Sequence, residues 1–149
     1  MHVGRENEAV YGERALAMSL GISDRVRFLG ARDDVPRLLE GADVFVMCSH
    51  REGLGLSCVE ALVKGVPAVV TDVPGLSDLA KHIPLCEKTP MDEAAFAAKI
   101  LDLTSRNRAS MAMIKEKSKE AIERMFGMAT NLCRYIDLWK VPSNAMSSK

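Results

Sequence analysis

The chain has 149 residues, 48% hydrophobic and 27% charged, with 20 basic residues balanced by 20 acidic ones. That length suits one domain with a single buried core, and the missing basic excess argues against nucleic acid or an anionic membrane surface as partner. No apolar run approaches the roughly 18–20 residues of a membrane helix, and no basic segment followed by a hydrophobic stretch marks a signal peptide.

Met1-His2-Val3, closed by Gly4, reads as the stub of a strand whose beginning is missing. Residues 6–20 carry Val10, Ala15, Leu16 and Leu20 among helix formers and stop at Gly21, which predicts a helix. Val26-Arg27-Phe28-Leu29 alternates and ends at Gly30, as a half-buried strand does. Asp33 or Asp34 can cap a short helix reaching Glu40, with Pro36 tolerated in its first turn. Val44-Phe45-Val46-Met47-Cys48 is continuously apolar, which predicts a strand covered on both faces.

The segment that follows is the richest in the chain. Glu52 lies in a loop broken by Gly53 and Gly55, and Glu60 comes after seven intervening residues inside the helical run 56–64. Residues 66–71 then read as a buried strand and Pro74-Gly75 as a turn, with a short helix at 76–81. Ile83-Pro84-Leu85-Cys86 fits a short edge strand, where proline is best placed. Three helices are expected at 91–103, 106–126 and 128–139. In the last of them Leu132, Tyr135, Ile136 and Trp139 recur at spacings of three and four, more in keeping with a packing face than with a ligand box.

Strands therefore alternate with helices. The fold class is α/β, a Rossmann-like parallel sheet with helices on both faces and a helical C-terminal tail. In such sheets ligands sit beyond the carboxyl ends of the strands, where loop 48–55 lies. Cys48, Cys58, Cys86 and Cys133 are widely spaced, without a Cys-x-x-Cys pair, and read as reduced, small hydrophobes of a cytosolic protein. His2, His50 and His82 do not join them at zinc-ligand spacing, so no metal site is expected.

The residue chemistry has two readings at each position. Gly53-Leu54-Gly55-Leu56-Ser57 can bring backbone amides up to an anion at a helix start, or can simply need a positive φ. Glu60, in a run that is apolar almost all round, would lose hydration and need donors; ribose hydroxyls supply two. The structural alternative is an i,i+4 pair with Lys64. Arg51 can approach phosphate or stay a solvated loop residue. Asp43, just before a strand, fits a structural cap or pair.

Ser49-x-x-Glu52-Gly53-Leu54-Gly55-Leu56, Glu60-Ala61-Leu62 and Gly65-x-Pro67 resemble the retaining glycosyltransferases of the GT-B fold, glycosyltransferase family 4 or group 1. Val26-Arg27-Phe28-Leu29-Gly30, Asp34-Val35-Pro36-x-Leu38-Leu39, Ala42-Asp43-Val44-Phe45-Val46 and Thr71-Asp72-Val73-Pro74-Gly75 extend the likeness over nearly the whole chain. The ordered set is far more specific than two glutamates at that spacing. The resemblance implies that residues 1–141 are the C-terminal, nucleotide-sugar-binding domain without its first strand and helix, and that 142–149 are a polar tail. The Arg and Lys that bind diphosphate in the family belong to that first strand and helix and have no counterpart here.

By resemblance, Glu52 takes a catalytic place beside the donor sugar, contacting a hydroxyl or the charge of the transition state. Gly53, Leu54, Gly55, Leu56 and Ser57 hold the diphosphate, and Glu60 holds the ribose. Gly4, with Arg5, belongs to a loop facing the donor. Arg32 either stacks on the base or is exposed. The resemblance implies a UDP-, GDP- or ADP-linked sugar as donor, no cofactor, no metal, and an N-terminal acceptor-binding domain or partner chain. Cytoplasmic location is expected, or peripheral attachment at the inner membrane face if the acceptor is a lipid-linked glycan. A non-catalytic nucleotide-sugar-binding module and a GT-B nucleotide-sugar epimerase are the alternatives. A receiver-like signalling domain would need an acidic cluster and a later lysine, which do not occur in order.

Overall fold

The computed structural model describes residues 1–4 and 8–139, with the side chains of 8–10 and 134–139 excepted. Arg5, the polar tail and the Tyr135, Ile136 and Trp139 side chains therefore lie outside the described residues. The chain divides into two compact units, Met1–Leu38 and Leu39 onward.

In the first unit, α1 (Glu8–Ser19) is followed by a closing turn in which Ile22 N–H donates to the Ala17 carbonyl. The expected strand 26–29 is reduced to a single parallel bridge, His2 to Phe28. His2 N–H donates to Arg27 O and Leu29 N–H to His2 O. Phe28 sits under the Arg14 guanidinium, 4.5 Å from ring centre to Cζ, a cation–π arrangement. α2 (Val35–Glu40), whose last two residues belong to the second unit, begins after Asp34, whose carbonyl accepts from Arg37 and Leu38; its carboxylate pairs with Arg32 instead of capping the helix.

The second unit holds a three-stranded parallel sheet in the order β1 (Phe45–Met47), β2 (Ala68–Thr71), β3 (Cys86–Thr89). α3 (Leu56–Val63) joins β1 to β2 and α4 (Pro74–His82) joins β2 to β3. α5 (Glu93–Ser105), α6 (Arg108–Phe126) and α7 (Met128–Trp139) follow. Phe45, Val46 and Met47 pair with Ala68, Val69 and Val70. Asp92 caps α5 by accepting from the Ala95 amide, and Asn107 caps α6 by accepting from Ser110.

Side chains alternate across β2. Ala68 and Val70 enter a core with Cys58 and Leu62 of α3, Leu76 and Leu79 of α4, and Ala121 of α6. Each fully buried leucine there contributes about 1.5–3 kcal/mol. Val69 points the other way and is also fully buried, on the face where α5 packs against β2 and β3. Ser118 of α6 is buried and satisfied twice: its hydroxyl donates to Ile114 O (2.7 Å) and accepts from Leu85 N–H (2.9 Å).

Three expectations are corrected. The apolar run 44–48 gives a strand of only three residues that is not covered on both faces: β1 is an edge of the sheet and Val46 is 43% exposed. Pro74-Gly75 is no turn before α4 but its first two residues; proline suits the first helical position because its missing N–H would have no partner there. The strand expected at 83–86 is a turn in which Cys86 N–H donates to Ile83 O, and the strand begins at Cys86. Its polar residues hide it from a search for apolar runs: Glu87 pairs with Lys99 and Arg106, and Lys88 with Asp72.

Candidate functional site

The carboxyl ends of β1 and β2 carry the loop 48–55 and the starts of α3 and α4. Gly55 is the residue before α3 and adopts φ 69, ψ 54, a left-handed conformation that costs an L side chain roughly 1–2 kcal/mol. A Cβ there would also lie 2.5 Å from Leu76 Cδ2, and Leu76 is fully buried. Gly55 accepts from Val59 N–H through its carbonyl, but no side chain caps the helix. The first-turn amides are therefore left available, at the end of the helix that carries about half a positive charge. Leu56 and Ser57 are both exposed there.

Glu52 is half-buried, and its Oε1 accepts from the Gly53 amide at 3.0 Å. The peptide carbonyls of Glu52 and Gly53 rest on Gly75, where any Cβ would overlap both oxygens. Gly75 thus seats the start of α4 directly against the glycine loop. Just before it, Asp72 accepts from the Ser77 hydroxyl and from Lys88 Nζ (3.0 Å). These two hydrogen bonds, Ser77 first, hold the Asp72 carboxyl below the usual carboxylate range. Sequence reasoning misses the Asp72–Ser77–Lys88 group and reads Gly75 only as a turn residue. The proline at the helix's first position is the available signal for where α4 starts.

Glu60 departs from expectation. The buried stripe of α3 is Cys58, Ala61 and Leu62, so Glu60 falls on the opposite face with Leu56 and Val63, which are 66% and 61% exposed. Glu60 is itself exposed, so the desolvation argued from its apolar neighbours is absent. The i,i+4 alternative fails as well, because Lys64 pairs with Glu40 at 2.6 Å. Glu60 stands one turn along from the helix start, open to a ligand.

Gly53 and Leu54 complete the exposed rim of the loop. Gly4 and Arg32 belong to the first unit. Gly4 N–H donates to Gly30 O at 3.0 Å. Arg32 is locked to Asp34 by Nε and Nη2 at 2.8 and 2.7 Å, which raises the arginine and lowers the aspartate pKa. That fork fixes the guanidinium plane and keeps it exposed.

All four cysteines are free; Cys58 and Cys86 are buried, whereas Cys48 and Cys133 are exposed. The Cys86 thiol is pushed far up by a hydrogen bond with Cys58 and then by burial, so it offers no nucleophile. Among the described residues no three His, Cys, Asp or Glu converge as metal ligands, and no helix is long and apolar enough to cross a membrane.

The fold is that of the C-terminal part of a GT-B glycosyltransferase. HepE of Anabaena, solved in complex with UDP and glucose, superposes with a TM-score of 0.77 at 25% identity, over 93% of this chain and 40% of that one. WaaG, a glycosyltransferase involved in lipopolysaccharide biosynthesis, shares the fold with a TM-score of 0.72 at 20% identity, over 94% of this chain and 37% of that one.

Residues 3–121 match the family described as glycosyl transferases group 1, and the chain belongs to that family. An uncharacterized glycosyltransferase of Haemophilus influenzae is 30% identical over 141 residues, 92% of this chain and 37% of the relative. N-acetyl-alpha-D-glucosaminyl L-malate synthase of Bacillus anthracis is 40% identical over 67 residues, 45% of this chain and 18% of the relative. The chain thus spans well under half the length of these relatives.

Proposed function

We propose that this chain is the donor-binding part of a glycosyltransferase, which takes a sugar from a UDP-, GDP- or ADP-linked donor and transfers it with retention at the anomeric carbon. The observation that carries the reading is the uncapped start of α3, entered through left-handed Gly55 beside the Glu52 carboxylate.

The chemistry follows from charge. Breaking the bond between sugar and diphosphate leaves negative charge on the departing phosphate. Amides of residues 54–57 at the positive end of α3 are oriented before the reaction and stabilise that charge as it develops. This role makes a metal ion unnecessary in the proposed mechanism. Glu52 faces the sugar, where its carboxylate accepts a hydroxyl hydrogen bond or offsets the positive character of the anomeric carbon. Glu60, exposed one turn further on, accepts from the ribose hydroxyls.

The acceptor is bound by another part of the enzyme, whether carried in the same protein or in a partner chain, and residues 1–149 turn over poorly without it. A UDP-linked donor has the most direct support, since HepE was solved with UDP-glucose at 26% identity.

Calorimetry with UDP, GDP and ADP tests the reading. Binding of at least one is expected, weakened by about tenfold or more in Glu60→Ala, the cost of losing hydrogen bonds to a charged acceptor. If the folded protein binds none of the three, the reading fails.

A further inference from the structure

A groove of about 700 Å³ opens at the other ends of the strands from the glycine loop. Asp43, two residues before β1, lies on one wall, and Arg106, Arg108 and Lys115 line the side formed by the α5–α6 corner. Leu103 and Met111 give it an apolar floor. Of these cations Arg106 is already ion-paired with Asp102 and Glu87, which leaves Arg108 and Lys115 as the groove's excess positive charge beside Asp43. The volume falls in the range of small-molecule sites, roughly 300–1,000 Å³.

The cations are arranged rather than scattered. Arg106 bonds Asp102 and Glu87 through Nη2 alone, which fixes the guanidinium while leaving Nε and Nη1 to other acceptors. Arg108 and Lys115 lie two turns apart on one side of α6, about 10 Å along its axis, with Met111 and Ala112 between them and no carboxylate. Neither has an ion pair among the described residues. Their side chains are long enough to converge on one group seated between them. Planar guanidinium forks beside a lysine are the donor set that suits phosphate oxygens.

We propose that this groove binds a phosphate group, held between Arg108 and Lys115 with Arg106 as a further donor, and that the apolar floor receives the body of the molecule bearing it. The phosphate belongs to a small phosphorylated molecule or to a lipid headgroup; both present the same oxygens to the same side chains. This groove is separate from the proposed donor site, which is at the opposite ends of the same strands.

The test uses the ¹⁵N-labelled chain titrated with inorganic pyrophosphate at constant ionic strength, and sedimentation with phosphatidylcholine vesicles with and without phosphatidylglycerol. A soluble ligand is indicated by saturable shifts of the amides from Arg106 to Ala112 and of Lys115. A headgroup is indicated by co-sedimentation with the anionic vesicles alone. In either case R108Q/K115Q is expected to weaken the effect by about tenfold or more, while pyrophosphate shifts at Leu56 and Ser57 persist. Both replaced side chains are exposed, and an otherwise unchanged spectrum verifies the fold of the variant. The proposal is overturned if neither probe acts on this groove, or if the double variant responds as the wild type does.

Discussion

Gly75 has no room for a side chain, because the carbonyls of Glu52 and Gly53 already occupy the space. Those oxygens are backbone, so relief requires moving the loop or the helix. Gly75→Ala is expected to destabilise by about 1–3 kcal/mol and to weaken nucleotide binding, because the displaced loop leads into the amides of 54–57 proposed to hold the diphosphate. Denaturant unfolding of the variant checks this; a stability gain, the usual result of Gly→Ala where a methyl fits, would contradict it. Asp72 gives a second test. Its carboxyl is held below the ordinary aspartate value near 3.8, first by Ser77 and then by Lys88. A depressed carboxylate stabilises the fold at pH well above 3.8, and that contribution fades as pH falls through the lowered folded value. A ¹³C titration is expected to place its midpoint below 3.8 and to raise it in Ser77→Ala. A midpoint at or above 3.8 in the wild type would remove the network.

At the scale of elements, Ser118 ties α6 to the turn before β3. Ser118→Ala would leave the Leu85 amide buried without its acceptor, a loss of about 1–3 kcal/mol in unfolding free energy; an unchanged midpoint with an unchanged slope would show that the bond is dispensable. The same scale explains what is legible in the sequence. α3, β2 and the three last helices follow from apolar runs and spacing, and they appear within two residues of the expected bounds. β3 falls later than expected because its two central positions are ion-paired Glu87 and Lys88, which carry no apolar alternation. Periodicity misplaces Glu60 because it records which residues are apolar, not which of two apolar faces a neighbour covers. α3 buries the Cys58–Ala61–Leu62 stripe and leaves Leu56 and Val63 out. The close approach of Gly75 to the glycine loop joins residues more than twenty positions apart, and no local pattern encodes it.

At the scale of the molecule, a parallel sheet delivers two helix starts and a glycine loop to one edge, and the site is what that edge presents. The order of motifs points to the fold and the family, and each is supported by matches over most of the chain. More narrowly, the start of α3 is proposed to receive the donor's diphosphate. A crystal structure of the protein grown with UDP tests it most directly. The diphosphate oxygens are expected within about 3 Å of amides in residues 54–57, with the ribose against Glu60. UDP bound in full occupancy elsewhere, with those amides facing only solvent, would contradict the account.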